Sequence, residues 1–177
     1  MKRKIISRGV ALAVLTGLSA CSTLDVGKNP RLDDLTSIAV VPMVNYTETP
    51  DAGQRATSIA QSILHQKGFT GLFTYQQERT GNVLIMDSVE LSAAEGLKWA
   101  RNTGASYALT GAVEEWRYKV GVDGEPVAGL TFNLVDLNSG KTVWSATGSR
   151  SGWSRSGVSG VSQKLTNQLL APLSPSR

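Results

Sequence analysis

Between residues 106 and 148 the chain alternates strand-length apolar runs with turn chemistry. This punctuation constrains the fold more than any other feature. Ser106–Val120 (SYALTGAVEEWRYKV), Val127–Leu137 (VAGLTFNLVDL) and Thr142–Gly148 (TVWSATG) are rich in the β-branched and aromatic residues that suit a pleated surface. Between them lie Gly121–Pro126 (GVDGEP) and Asn138-Ser139-Gly140-Lys141, which carry the Asp-Gly and Asn/Ser-Gly signals of tight turns. Two antiparallel hairpins follow, and with them a three-stranded meander that must cover one apolar face. Successive residues of a strand point to opposite faces, so Glu114 and Glu115 are expected apart rather than as a carboxylate pair.

The rest of the pattern supplies that cover. Thr36–Asn45 (TSIAVVPMVN) is a continuous β-branched run, as expected of a strand buried on both faces. Asp51–Gly68 reads as a helix with Ile59, Ile63 and Leu64 on one side and Gly68 as its stop. Short strands are expected within Phe69–Tyr75 and at Val83–Met86. Ser92–Asn102 reads as a second helix, opened by the capping-box pair Ser92 and Glu95 and carrying Leu97, Trp99 and Ala100 on its apolar side. Gly157–Leu170 reads as a third, with Val158, Val161, Leu165 and Leu169 in one stripe. The fold class is α/β, or α+β sandwich: a mixed β-sheet with helices packed on it.

The N-terminus reads as an address. Lys2, Arg3, Lys4 and Arg8 precede an apolar stretch, Val10–Leu18, shorter than the about 20 residues a membrane-spanning helix needs. That is the pattern of a secretory signal peptide. Its end, Leu18-Ser19-Ala20-Cys21, resembles a bacterial lipobox. The resemblance implies cleavage before Cys21, its acylation, and, with Ser22 rather than Asp following, an outer-membrane destination on the periplasmic face. Cys21 is the sole cysteine, so no internal disulfide can form, and a lipid anchor accounts for the thiol. Residues 1–20 are therefore expected to be signal peptide, 21–35 a lipidated tether, and 36–177 a single periplasmic domain. The tether's roughly 14 residues reach at most about 50 Å. The four basic residues of the signal peptide account for the whole excess of 18 Lys and Arg over 14 Asp and Glu. The remaining chain is neutral and gives no electrostatic footprint for nucleic acid.

Catalytic patterns are missing. His65, the one histidine, stands in the first helix without a second histidine or a cysteine nearby, which argues for a surface residue and against a metal site. No G-x-S-x-G elbow or phosphate loop appears, and no cofactor is implied. Trp99, Trp116 and Trp144 lie inside periodic segments and read as core or interface. Trp153 does not: it stands in SRSGWSRSG (Ser149–Gly157), between Arg150 and Arg155. Tryptophan favours a bilayer interface and arginine favours anionic headgroups, so Trp153, Arg150 and Arg155 are candidate membrane-contacting residues. Packing of Trp153 at a subunit interface is the alternative.

Three stretches carry a family resemblance: SIAVVPMVNYT, ASYALTGAVEEWRY and LTFNLVDLNSGKTVWSATGS. They resemble the CsgG/LpoB-type periplasmic domain superfamily in order and spacing. Within it, the short tether and the lack of leftover barrel strands make the chain similar to the PelC-like outer-membrane lipoproteins of Pel exopolysaccharide export. That resemblance implies a non-enzymatic homo-oligomeric ring of about a dozen subunits. It further implies contact with outer-membrane lipid, a PelB-like β-barrel porin as partner, and an electronegative lumen that guides a cationic polysaccharide. On this view Asp123, with Glu125 second, supplies the lumen carboxylates, although Asp-Gly is also ordinary turn chemistry. An LpoB-like regulator of a peptidoglycan synthase is the alternative, against which the short tether argues.

The lipobox reading makes a direct prediction. Protein extracted from membranes should carry the mass of an acylated chain beginning at Cys21, and Cys21→Ser should remove both the cleavage and the added mass in intact-mass spectrometry.

Overall fold

The computed structural model of the chain describes residues 22–30, 32, 36–75, 92–121 and 124–175. The elements run β1 (Ser22–Val26), β2 (Ser37–Val40), β3 (Val44–Asn45), α1 (Ala52–Gln66), β4 (Gly71–Thr74), α2 (Ala93–Asn102), β5 (Tyr107–Tyr118), β6 (Pro126–Asp136), β7 (Thr142–Ser151) and α3 (Val158–Leu169). They form a seven-stranded mixed sheet in the order β1-β7-β6-β5-β2-β4, with β3 also on β5. β5, β6, β7 and β1 are antiparallel, whereas β2, β3 and β4 join in parallel. The expected Val83–Met86 strand lies outside the described residues.

Strand alternation builds the core. Ala128, Leu130, Phe132 and Leu134 of β6 point to one face, where α1 and α3 bury Ala56, Ala60, Ile63, Leu64, Val161, Leu165 and Leu169 against them. On β2, Ile38 and Val40 join this core, while Ala39 and Val41 face the other side. There they meet Ala100 of α2, with Ala108, Val135 and Leu137, and Leu97 and Trp99 pack alongside. β2 is thus buried on both faces, as its unbroken apolar run requires. Ser92 accepts from the Glu95 N–H while the Glu95 carboxylate accepts from the Ser92 N–H, the capping box read from the sequence. Gly68 ends α1 at φ 98°, a conformation that a Cβ would strain. His65 is exposed on α1.

Four expectations are revised. Ser22–Val26 form an edge strand on β7, not a free tether, because β7 would otherwise leave a row of backbone donors and acceptors unpaired. Beyond it Gly27 is held as well: its N–H donates to Ser145 O at 2.9 Å and its carbonyl accepts from Trp144 Nε1 at 3.2 Å. Leu32 is buried in the main core. The Thr36–Asn45 run divides into β2 and β3 around Pro42, which cannot donate to a ladder. The Met43 N–H turns instead to Thr57 Oγ1 of α1, 2.9 Å away and buried. β7 runs on to Ser151, so the Trp153 loop is shorter than the sequence suggested. Finally, the pairing of β5 with β6 slips between Val113 and Glu115, leaving Glu114 as the extra residue of a β-bulge.

The β6–β7 turn generates a pH prediction. The Asp136 carboxylate accepts from the backbone N–H groups of Ser139 and Asn138, at 3.1 and 2.8 Å, which hold its carboxyl below the usual range. A depressed carboxyl contributes stability above its ordinary pKa, about 3.9, and loses it as pH falls through the folded value. Asp136→Ala should therefore lower Tm at neutral pH, and the gap to the unmodified chain should shrink in melts at about pH 2.

Candidate functional site

Several features converge on one end of the sheet. β5 ends at Tyr118, paired with Pro126 at the start of β6, and β6 pairs Val127 with Ser151 at the end of β7. β1 begins there too, with Ser22 opposite Arg150. Gly152 is fixed beside the hairpin: its N–H donates to Pro126 O at 2.8 Å. α3 starts at the same end, after a turn in which the Ser156 N–H donates to Trp153 O at 2.8 Å. The β3–α1 loop arrives as well, since Tyr46 N–H donates to Val113 O and Thr49 Oγ1 donates to Trp116 O. Asn45 and Thr47 close that loop by local hydrogen bonds.

This end carries the most exposed large apolar side chains among the described residues. Trp153 is 67% exposed, Tyr46 69%, Tyr118 53%, and Val120 is fully exposed. By contrast, Trp116 and Trp144 are buried in the core, and Trp99 packs edge-to-face on Tyr75 at 5.3 Å. The sequence reading singled out Trp153 and missed Tyr118 and Val120. The signal was available: Trp116 and Tyr118 stand two positions apart on β5, and Val120 keeps the same spacing just beyond the strand's end.

The proposed charged residues divide. Arg155 is exposed on the turn after Trp153. Arg150 folds back toward α3 and donates from Nη1 to Gln168 Oε1 at 3.2 Å. Glu125 pairs with Lys119 across the hairpin at 3.3 Å, which offsets its charge locally. Asp123 and Cys21 lie outside the described residues.

A second feature occupies the sheet face opposite α1 and α3, on the half that, among the described residues, α2 leaves bare. Thr23, Asp25, Glu114, Glu115, Arg117 and Thr147 line a shallow groove there of about 550 Å³. Its existence corrects the sequence reading of Glu114 and Glu115. The bulge suspends the alternation, and a Cβ placed on Gly129 would lie 3.2 Å from that of Glu115 and 3.5 Å from that of Glu114. Both carboxylates therefore share one groove. Glu115 pairs with Arg117 at 2.6 Å, whereas Glu114 accepts from Thr131 Oγ1, which also meets Thr147 Oγ1 at 2.9 Å. Thr147 sits opposite Asp25 in the β1 register. Among the described residues no group of three potential ligands is placed to hold a metal, and no helix is long and apolar enough to cross a membrane.

Comparison with known proteins follows the same lines. Neither family models nor curated proteins match the chain. Among solved structures, it is similar to the PelC dodecamer from Paraburkholderia phytofirmans, with TM-score 0.75 and 44% identity over 89% of this chain and 100% of that one. A variant of that dodecamer in another crystal form aligns with the same score and identity, over 88% and 100%. A lipoprotein from Neisseria meningitidis aligns at TM-score 0.54 and 19% identity, over 77% and 96%, a likeness of fold alone.

The geometry around the loop sets opposite signs for two glycines. A Cβ on Gly152 would stand 2.5 Å from Val161 Cγ2 and 3.2 Å from Pro126 Cγ. Gly152→Ala should cost about 1–3 kcal/mol by overpacking. Gly160, inside α3 with nothing within 4 Å of its added Cβ, should gain about 0.5–1 kcal/mol as Gly160→Ala. Denaturant titration of both variants checks the pair.

Proposed function

The chain belongs to the PelC family, and from that premise we propose that it is a non-catalytic outer-membrane lipoprotein whose copies form a ring that guides a cationic exopolysaccharide to an outer-membrane porin. The observation that carries this reading is the convergence at one end of the sheet. Ser22, which follows the lipobox cysteine, starts beside Arg150 and three residues of chain from Trp153. An acyl anchor on Cys21 therefore leaves the domain at the end that exposes Trp153, Tyr118 and Val120. Lipid and indole then act on the same surface, and the domain has one way to sit on a bilayer. An indole at the interface is favourable, and Arg155 reaches the same layer to meet anionic headgroups.

The ring supplies the rest. The dodecamer of the similar protein supports an assembly of about twelve copies. In such a ring the β5–β6 hairpin tip repeats once per subunit, and its carboxylates add. At physiological salt the screening length is about 8 Å, so a ring of closely spaced charges makes a continuous negative field along a lumen where an isolated one would not. Asp123 is the stronger contributor because Glu125 is paired with Lys119. Long-range attraction without a tight site suits a polymer that must keep moving.

Asp123→Ala should leave the oligomer mass unchanged by light scattering and reduce secreted polymer. Unchanged export removes Asp123 from the path. Trp153→Ser should keep the ring and weaken its sedimentation with anionic phospholipid vesicles. A ring that falls apart instead assigns the indole to the subunit interface.

A further inference from the structure

Resting on the ring reading above, we infer that successive copies meet through the bare half of the sheet on one and the helical layer on the next. A closed ring of identical chains needs two different, complementary patches on each subunit. The fold offers such a pair on its two opposite sides. On the bare sheet face Glu115 is neutralised by Arg117, which leaves Asp25 and Glu114 as carboxylates with no ion pair among the described residues. On the opposite side neither α1 nor α3 contains an Asp or Glu, while Arg55 and Lys164 project from them, exposed and without an ion pair among the described residues.

The steric features agree with the charges. α2 covers half of the second sheet face, and among the described residues nothing covers the other half, although the sheet continues beneath both. The bare half is concave, because Gly129 brings no side chain between Glu115 and Ser149, its neighbours across the sheet. The occupant is a basic, polar surface, and the outer side of α1 and α3, with Arg55 and Lys164 exposed and no Asp or Glu in either helix, is one. Head-to-tail stacking of this kind leaves the loop end of every subunit pointing the same way along the ring axis. All anchors and all Trp153 side chains then reach one membrane together.

Reciprocal charge reversal on the full lipidated chain, purified in detergent, tests this. Asp25→Lys with Glu114→Lys makes both sides of the subunit basic, and Arg55→Glu with Lys164→Glu makes both acidic. Each double variant alone should run at the mass of one subunit, because like charges then face each other at every contact. An equimolar mixture should regain the mass of the unmodified assembly, since alternating copies restore every junction. The isosteric Asp25→Asn with Glu114→Gln, which cannot disturb the fold through bulk, should raise the concentration for half-assembly about tenfold. Full-size assemblies from either reversed variant alone, or a mixture that stays dissociated while the isosteric variant assembles normally, overturn the pairing and leave the ring. An unmodified chain that runs as one subunit overturns the ring itself.

Discussion

The antiparallel ladder of β5, β6 and β7 is the interaction on which everything else depends. It aligns Ala128, Leu130, Phe132 and Leu134 into a single apolar strip on which α3 lies, while α1 packs on β5, on the parallel strands and on α3. Its outer strand receives β1, its inner strand receives β2 and β3, and its far end gathers three chain segments into one exposed apolar tip. The same ladder separates two polar environments. One side is the helical layer. The other is the bulged, partly uncovered face where Glu114 and Glu115 come together.

Local signals were legible where local physics decides. The hairpins followed from their turn residues, α2 from Ser92 and Glu95, α3 from a stripe that the structure buries residue for residue. What escaped depends on partners distant in sequence. Ser22–Val26 is polar and unremarkable by composition, and becomes a strand only because β7, more than a hundred residues later, offers an unpaired edge. The bulge at Glu114 is set by where β6 runs out of register, which no window of β5 alone records. The candidate site shows the same division. Trp153 was visible as an aromatic with no apolar neighbours. Its closeness to Tyr118, Val120 and the first strand needed the sheet.

The two acidic features have different characters. At the hairpin, Glu125 and Lys119 form an exposed pair at 3.3 Å, a geometry that adds little to stability. On the sheet face, Glu114 is held by Thr131 within a row of cross-strand hydroxyls, fixed in place by the pleat. A row fixed in this way suits a surface that must match another surface.

The docking of β1 has a mechanical meaning. In the proposed anchoring, any pull between bilayer and protein enters at Ser22 and runs along the strand axis. The five paired positions from Ser22–Arg150 to Val26–Ala146 then share the load in shear, rather than opening one after another as a zipper would. Behind them Gly27, clasped by Ser145 and Trp144, and Leu32, sunk in the core, act as a second catch. An anchor at that position would therefore be a stiff bracket and not a rope, delivering force on the membrane straight into the sheet.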